Sequence, residues 1–286
     1  MAQRAWLLRD WGLGRLLFRG RRELGWLIKA IVTTERKCRE ESLALALELS
    51  DRLQIDYVER HKESVGKLMD KYGVEAVLVA YPQELKLNSS AGEMFFHPNM
   101  SQLRVKNLRK GEKDHMSEAM GLQEGMKVLD CTLGFGADAI VASFGVGETG
   151  QVVGVESSPL IAAVTGHGLQ HFLPGNYPLY AAMRRIEVVN MDYLDFLRQQ
   201  PDNSYDVVYF DPMFRKPLTA SNGISPLRSV ANHEPLSLEA VKEAQRVARY
   251  RVVMKEASGS EEFSRLGFST IMGGKYSKVH YGVLTM

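Results

Sequence analysis

Stretches with the apolar pattern of β-strands alternate with stretches patterned like helices from Gly125 to the end of the chain. Because strands joined by helices pair in parallel, this alternation predicts a doubly wound α/β domain. The predicted strands are Val128 to Cys131, Gln151 to Val155, Ile186 to Val189, Val207 to Phe210 and Arg251 to Lys255. Helices are predicted from Asp138 to Phe144 and from Pro159 to Phe172.

Two extended runs close the chain, Phe268 to Met272 and Val279 to Leu284, on either side of Gly273-Gly274-Lys275. Glycines between two such runs predict an antiparallel hairpin, here at the edge of the sheet. A terminal hairpin is typical of the seven-stranded, Rossmann-like sheet of class I methyltransferases and is absent from the usual dinucleotide-binding fold. The predicted fold class is therefore α/β, with a class I methyltransferase sheet.

The first predicted strand of this sheet ends in Asp130 and runs into a turn that contains Gly134 and Gly136. Glycine lets the backbone approach a cofactor closely just before a helix begins. The spacing also satisfies the GxGxxG/A pattern of dinucleotide sites, which taken alone is a weak signal. Acids at three ordered strand ends, Asp130, Glu156 and Asp192, favour S-adenosyl-L-methionine (SAM) instead.

Each part of this pattern has a known place in class I methyltransferases. The glycine turn passes beside the methionine part of the cofactor, the acid that ends strand two accepts hydrogen bonds from both ribose hydroxyls, and the acid after strand three lies near the adenine amine. Glu156 and Asp192 are predicted to take the last two roles. Either acid considered alone could instead be a helix cap or a solvated loop residue.

A second motif, Asp211-Pro212-Met213-Phe214, follows the apolar run that ends at Phe210. A planar amine delocalises its lone pair into its ring, so it needs acceptors that orient its N–H bonds and aim the lone pair at the methyl donor. Asp211 and the Pro212 carbonyl are predicted to be these acceptors, and Phe214 to stack on the base. Positioning, rather than removal of a proton before attack, is then the main catalytic effect. The alternative is a proline turn after a buried strand.

Residues 30–113 are predicted to form a small α/β lobe ahead of the methyltransferase domain at 114–286. Its predicted helices span Glu35 to Leu53 and Lys62 to Tyr72, and its predicted strands are Ile31 to Thr34, Glu75 to Tyr81, Glu84 to Asn88 and Glu93 to Phe96. A linking helix is predicted from Asp114 to Gly121.

Residues 1–29 are a basic extension with seven Lys or Arg and two Asp or Glu. Their apolar runs are short and interrupted by charge, which argues against a signal peptide or a membrane span. Two interpretations remain: a basic amphipathic helix that contacts a membrane, RNA or another subunit, or an extension upstream of the true start of the domain. Glycines that interrupt the helical period favour the second.

Charge and cysteine content restrict the partners of the rest of the chain. Of 36 Lys or Arg and 34 Asp or Glu, 29 and 32 remain after subtracting those of residues 1–29. Nucleic-acid binding must therefore depend on local patches. The two cysteines are far apart in sequence, which predicts no disulfide framework and favours a cytoplasmic protein. The seven histidines do not show the spacing of metal ligands, so no metal site is predicted.

From Glu75 to the C-terminus the chain resembles the RsmJ family of ribosomal RNA guanine-N2 methyltransferases, which methylate the exocyclic amine of a guanine in small-subunit RNA. The resemblance rests on residues 130–139, 156–159 and 209–214, and extends to 252–255 and Arg228. It implies that the cofactor pocket is lined by Ala137, Asp138, Glu156, Ser157, Asp192, Tyr193 and Asp211.

The chain departs from that family at three places. Residues 106–113 replace a glycine-rich basic stretch, Ala137 stands where arginine is usual, and Arg215-Lys216-Pro217 replaces a proline-histidine pair. Cofactor use is expected to survive these changes, which bear on the RNA target.

Basic residues supply the predicted contacts to RNA: Arg104, Lys106, Arg109, Lys110, Arg215, Arg228 and Lys255. The first four, together with Lys113, form the strongest local patch. A solvated loop is the alternative interpretation, because Glu112 and Asp114 dilute the charge.

These features predict a cytoplasmic, SAM-dependent N-methyltransferase that acts on an exocyclic amine of RNA, with guanine N2 of small-subunit ribosomal RNA as the expected target. Ribosomal RNA or the small ribosomal subunit is the expected partner. Two alternatives remain open: an amine methyltransferase for a protein glutamine or a small molecule, and a non-catalytic RNA-binding protein that retains the cofactor pocket.

Overall fold

The structure is a computed structural model that describes residues 17–18, 28–173, 177–212 and 235–286. In chain order the strands are β1 (Leu17–Phe18), β2 (Ala30–Thr34), β3 (Asp56–Tyr57), β4 (Ala76–Ala80), β5 (Leu85–Ser89), β6 (Gly92–Phe95), β7 (Lys127–Asp130), β8 (Gln151–Glu156), β9 (Ile186–Asn190), β10 (Tyr205–Phe210), β11 (Ala248–Ala257), β12 (Thr270–Met272) and β13 (Val279–Thr285). The helices are α1 (Glu40–Leu53), α2 (Val65–Tyr72), α3 (Asn99–Leu108), α4 (His115–Met120), α5 (Ala137–Val146), α6 (Pro159–His171), α7 (Tyr177–Arg184), α8 (Tyr193–Arg198), α9 (Leu238–Val247) and α10 (Glu262–Arg265).

The larger of two sheets contains the strands in the order β1-β9-β8-β7-β10-β11-β13-β12. Neighbouring strands are parallel, except that β13 runs antiparallel to β11 and to β12. The seven strands from β9 to β12 form the predicted class I methyltransferase sheet, and β12 and β13 are its predicted terminal hairpin. The eighth strand, β1, pairs with β9 and brings Leu17–Phe18 of the predicted extension to the edge of the sheet.

Apolar side chains cover both faces of this sheet. On one face Val128, Val207 and Val253 pack in a cluster with residues of α5 and α6, and on the other Leu129 and Val208 pack in a cluster with residues of α9. Strand β10 is buried along its whole length, as expected of a central strand covered by helices on both faces. The carboxyl ends of the central strands are thereby fixed relative to one another.

The smaller sheet has the order β3-β2-β4-β5-β6. Strand β2 is parallel to β3 and β4, whereas β4, β5 and β6 form an antiparallel meander. Leu78 and Leu87 of this sheet belong to the same buried apolar cluster as Val164 and Leu169 of α6. The small sheet therefore packs on the helical layer of the large one through a continuous core, and the lobe boundary at residue 113 stays a prediction.

The sequence predicted the main strands of both sheets and the helices α1, α2, α4, α5 and α6, although α1 begins at Glu40 and not at the predicted Glu35. It did not predict the short strands β1 and β3 or the helices α3 and α7 to α10. The most consequential of these is α3, because it occupies the stretch interpreted either as an RNA-binding patch or as a solvated loop.

Gly168 marks a close approach between α6 and the small sheet. A Cβ added there would lie 2.1 Å from Phe96 Cγ and 2.3 Å from Phe96 Cβ. Since Phe96 Cβ is held by its own backbone, the ring cannot simply turn aside. We expect Gly168→Ala to lower the free energy of unfolding by about 1–3 kcal/mol, the usual cost of overpacking, despite a gain in helix propensity. Urea unfolding measures the change.

Gly66→Ala in α2 is the matched control, because it also replaces a helical glycine but an added Cβ meets no atom within 4 Å. We expect this variant to be as stable as the parent or more stable, by up to about 1 kcal/mol. Equal unfolding midpoints for the two variants would contradict the close packing at Gly168.

Candidate active site

The strand order of the larger sheet reverses between β7 and β10. From β7 the chain continues to β8 and β9 on one side, whereas β10 and β11 lie on the other. Ligands of doubly wound sheets bind outside the carboxyl ends of the strands at such a point. Asp130 ends β7, and Asp211 directly follows β10. The structure therefore brings the acids of the two sequence motifs to the same crevice.

Two glycines shape the turn between β7 and α5. Gly134 has a φ of 51° and Gly136 a φ of 73°, in the left-handed region that favours glycine. The Thr165 hydroxyl donates to the Gly134 carbonyl at 2.7 Å and ties the turn to α6. A Cβ added to Gly134 would meet no atom within 4 Å, so this part of the turn borders open space.

Glu156, the last residue of β8, is 8% exposed. Its carboxylate accepts the Gly134 N–H at 3.0 Å and the Ser158 N–H at 2.8 Å, one on each oxygen. Burial raises the pKa of Glu156 to about 7, against the effect of these hydrogen bonds. Hydrogen bonds from Ser157 also lower this pKa, so the Glu156 carboxylate is held in place at the end of β8.

Asp192 follows β9 and caps α8. Its Oδ1 accepts the N–H groups of Leu194 at 2.8 Å and Asp195 at 3.3 Å. Asp192 is therefore a helix cap, and it lies at the strand end where the cofactor contact was predicted. The next residue, Tyr193, lies edge-on to Phe210 with 5.8 Å between ring centroids, which packs the start of α8 against β10.

Ser157 and Ala137 are held through their backbone carbonyls. The Asn190 side-chain amide donates to the carbonyl of Ser157 at 3.0 Å and to that of Glu156 at 2.7 Å. The Ser101 hydroxyl donates to the Ala137 carbonyl at 2.9 Å. The first contact fixes the end of β8 to β9, and the second fixes the start of α5 to α3.

Thr132 joins the two sequence motifs. Its Oγ1 accepts the Asp211 N–H at 2.6 Å, and its own N–H donates to Asp130 at 3.0 Å. The backbone at the start of the second motif is therefore held by the first. Sequence reasoning did not select Thr132, although a hydroxyl residue directly after a strand-ending acid was an available signal.

Asp130 is 2% exposed, and its surroundings oppose ionisation. Burial, followed by the charges of Asp138 and Asp211, raises the pKa of Asp130 to about 8. Although the charge of Lys255 lowers this pKa, an acid with a pKa of about 8 holds a proton at neutral pH. A positive group bound close to it would favour the carboxylate form.

Asp211 is paired with Lys255 of β11. Lys255 Nζ lies 2.7 Å from Asp211 Oδ2, and the two side chains are 21% and 27% exposed respectively. The pairing follows from strand register, because Phe210 lies opposite Met254. Burial raises the pKa of Asp211, Lys255 lowers it, Asp138 raises it, and the balance places it at about 6.

Asp138, the second residue of α5, connects this pair to the small lobe. Its Oδ2 accepts the Tyr209 hydroxyl at 2.7 Å and the Lys255 ammonium at 3.0 Å, while its Oδ1 accepts Arg104 Nη1 at 2.5 Å. Burial opposes ionisation of Asp138, but the charges of Lys255 and Arg104 and the hydrogen bonds hold its pKa well below the usual value. Sequence reasoning assigned no role to Tyr209, although a tyrosine in a buried strand needs a partner for its hydroxyl.

Arg104 lies on α3 and binds Asp114 in a bidentate manner. Its Nε and Nη2 donate to the two Asp114 oxygens at 2.7 and 2.9 Å, so both ends of the guanidinium are held by acids. The structure separates Arg104 from three other predicted RNA contacts, which are exposed near the end of α3: Lys106, Arg109 and Lys110.

The site suits a cationic cofactor that carries hydroxyl groups. Glu156 places a carboxylate at the end of β8, and the turn at Gly134 borders open space. Asp130 is buried with a raised pKa, so a positive charge bound beside it, such as a sulfonium, would stabilise its carboxylate form. The described residues therefore fit SAM.

Part of the predicted site lies outside the described residues, namely Phe214, Arg215 and Arg228. In the ranges that the structure does describe, no group of three or more His, Cys, Asp and Glu is placed to hold a metal ion. Cys38 is exposed and Cys131 buried, and neither forms a disulfide. No helix of the described part of the chain is long and apolar enough to cross a membrane.

Sequence comparisons agree with this geometry. A family model described as "Putative SAM-dependent methyltransferase" matches residues 66–279. YpiP of Bacillus subtilis strain 168, described as an uncharacterized protein, is 43% identical over 255 residues, which are 89% of this chain and 98% of the relative. Ribosomal RNA small subunit methyltransferase J of Buchnera aphidicola subsp. Schizaphis graminum is 25% identical over 77% of this chain and 94% of that protein.

A structural comparison gives the same fold. A SAM-dependent methyltransferase from Neisseria gonorrhoeae superposes with a TM-score of 0.62 at 15% identity, over 89% of this chain and 95% of that one. At this identity the likeness concerns the fold alone.

Proposed function

We propose, given that the chain belongs to the SAM-dependent methyltransferase family, that it transfers the methyl group of SAM to an exocyclic amine of RNA. The expected target is guanine N2 of small-subunit ribosomal RNA, and the expected place of action is the cytoplasm. Relatives named ribosomal RNA small subunit methyltransferase J support the RNA target, because two of them align over 77% and 81% of this chain.

The placement of Asp211 carries the proposal. Its backbone is pinned by Thr132, and its side chain by Lys255, beside the glycine turn. Lys255 donates to Oδ2, and the proposal assigns Oδ1 as the oxygen that accepts an N–H of the substrate. Together with the Pro212 carbonyl, this oxygen would orient a planar amine with its lone pair toward the methyl donor.

The protein contributes by orienting the substrate amine toward the methyl donor and by excluding water. SAM supplies an activated methyl group, and the amine supplies the electron pair. Asp211 need not take a proton before attack, because the methylated amine loses its extra proton readily afterward. We propose that Phe214 stacks on the base, which must be unstacked or already exposed when it enters the crevice.

The exposed end of α3 is the proposed RNA-binding surface. Lys106, Arg109 and Lys110 project there without ion-pair partners in the described part of the chain, and Met100 and Leu103 on the same helix are 64% and 53% exposed. Cations beside apolar side chains suit a phosphate backbone with unstacked bases. Arg104 on this helix serves a different purpose, because it is held by two acids.

Transfer of labelled methyl from SAM tests the proposed function. The acceptors are small ribosomal subunits, naked ribosomal RNA and total cell protein, and the labelled RNA is digested to nucleosides. We expect label in a single nucleoside that co-migrates with N2-methylguanosine. Label only in protein or small molecules would instead support the protein-glutamine or small-molecule alternative, and tight SAM binding without label would support a non-catalytic RNA-binding protein.

Replacing the exposed cations at the end of α3 tests the proposed RNA-binding surface. We expect the triple variant Lys106→Gln, Arg109→Gln, Lys110→Gln to bind RNA at least ~10-fold more weakly at 0.1 M salt, and the slope of log affinity against log salt to fall by about 2 in magnitude. Filter binding across a salt series measures both quantities. The matched control is Lys62→Gln, Lys67→Gln, Lys71→Gln, which removes three exposed cations at and beside α2. Equal losses in the two variants would contradict a specific role for α3.

A further inference from the structure

We propose that Lys255 is a positioning residue for Asp211, and that Asp138, with Tyr209 and Arg104, holds Lys255 in place. The inference rests on the proposed function, in which Asp211 accepts an N–H of the substrate. It assigns to Lys255 and Arg104 an internal role in place of the contact with RNA predicted from sequence.

Lys255 is fixed between two carboxylates. Its Nζ lies 2.7 Å from Asp211 Oδ2 and 3.0 Å from Asp138 Oδ2, and its side chain is 21% exposed. An ammonium has three donors, and two are used here. A lysine that already satisfies two acids is poorly placed to bind a phosphate, because each lost contact would leave a largely buried charge unpaired.

Asp138 is the anchor of the arrangement. It is 8% exposed and accepts three groups from three elements: the Tyr209 hydroxyl of β10, Lys255 of β11 and Arg104 of α3. With both oxygens occupied, the Asp138 carboxylate cannot rotate without breaking a contact. The position of Lys255, and through it that of Asp211, is therefore defined by the sheet and by α3 together.

Arg104 extends the connection to the small-lobe side of the site. Its guanidinium bridges Asp138 and Asp114, and Asp114 is the N-cap of α4, where it accepts the Ser117 N–H at 2.9 Å. The ends of α3, α4 and α5 are thus joined by one group. A displacement of α3 would change the contact of Arg104 with Asp138, and so the setting of Lys255.

The effect on Asp211 is electrostatic as well as geometric. The charged or titratable groups that face Asp211 are Lys255, Asp138, Asp130 and Tyr209, and Lys255 is the cation among them. Burial and the neighbouring Asp138 favour the protonated form of Asp211, which accepts hydrogen bonds poorly. Lys255 opposes them, and because its own pKa is raised by Asp138 and Asp211 against the effect of burial, it stays charged and cannot serve as a proton acceptor.

Lys255→Met tests the proposal, because methionine keeps an unbranched side chain as far as the ε position and removes the ammonium. NMR titration of the Asp211 carboxyl carbon, assigned with Asp211→Asn, needs neither RNA nor transfer. We expect the pKa of Asp211 to rise by about one unit or more in Lys255→Met, and the acid limb of the transfer rate to move upward with it. Lys255→Arg should keep the pKa of Asp211 and the acid limb of the pH profile near the parent values. Its transfer rate should be lower, because the larger guanidinium changes the geometry around Asp211.

Lys86→Met is the matched control, since Lys86 is also a 20%-exposed lysine between two acids, Glu84 and Glu93, but lies in the small sheet. It should leave the titration of Asp211 unchanged.

If Lys255→Met does not fold, Lys255→Gln provides the same neutralisation. An unchanged Asp211 pKa in a folded neutral variant would overturn the proposal. Absence of label in RNA, with the titration shifted as expected, would overturn the proposed function alone.

Discussion

Asp211→Asn is expected to lower the rate of methyl transfer by about 10²- to 10³-fold, with little change in SAM affinity. Asparagine is nearly the same size, but it replaces a charged acceptor by an amide. The amide presents a donor where the substrate amine also presents donors, and it leaves Lys255 with Asp138 as its remaining acid partner. Single-turnover transfer and calorimetric SAM binding measure the two quantities separately.

Asp206→Asn is the control for Asp211→Asn, because Asp206 is a buried carboxylate at the opposite end of the same strand, paired with Arg249. We expect it to reduce stability while the folded fraction transfers methyl at the parent rate. Transfer at the parent rate by Asp211→Asn would show that Asp211 is not the acceptor. Loss of SAM affinity in that variant would instead assign Asp211 to the cofactor.

The large sheet was predictable because its signals are local. Each central strand is a short apolar run that ends in a polar or charged residue, and Gly134 and Gly136 mark the turn that follows the first of them. The terminal hairpin is likewise marked by adjacent glycines between extended runs. Together these signals predict the class I methyltransferase sheet with its terminal hairpin.

Helix α3 was not predictable in the same way, because its side chains serve different neighbours. Ser101 and Val105 are buried, Arg104 turns toward two acids, and Met100 and Leu103 remain exposed. The apolar periodicity of the helix is therefore weak, and its charges suggest a surface patch. The ion pairs of Arg104 with Asp114 and Asp138 join α3 to other elements, and residue spacing along the sequence does not predict them.

The candidate site was only partly visible in the sequence for a related reason. Strand ends identified Asp130, Glu156, Asp192 and Asp211 because each follows an apolar run. Which of them would be paired depends on register between distant strands, and Lys255 reaches Asp211 because Phe210 lies opposite Met254. Lys255 and Arg104 were recognised as important bases, but their acid partners were not.

Acid is expected to weaken the fold through His167, which lies in α6. This residue is 5% exposed, stacks on His171 with 4.4 Å between ring centroids, and has no hydrogen-bond partner for either ring nitrogen in the described part of the chain. Burial, then the neighbouring His171, lowers the pKa of His167 to about 3. The folded protein therefore holds this imidazole neutral under most conditions.

The sign of the effect follows from proton uptake. Between about pH 6.5 and 3 the unfolded chain binds a proton at His167 and the folded chain does not, so the free energy of unfolding falls as pH falls through this window. At about 1.4 kcal/mol for each pH unit, the full shift corresponds to roughly 4–5 kcal/mol as an upper limit. Total stabilities of about 5–15 kcal/mol make this a large fraction.

His167→Leu separates this contribution from that of the carboxylates that titrate in the same range. At pH 7.5 we expect the variant to be as stable as the parent or more so, because leucine removes two buried nitrogens that lack partners. Below pH 6.5 its advantage should grow by about 1.4 kcal/mol for each unit, measured by urea unfolding at a series of pH values. His115→Gln, at a 53%-exposed histidine, should follow the parent throughout. A constant difference between His167→Leu and the parent would show that His167 does not resist protonation in the fold.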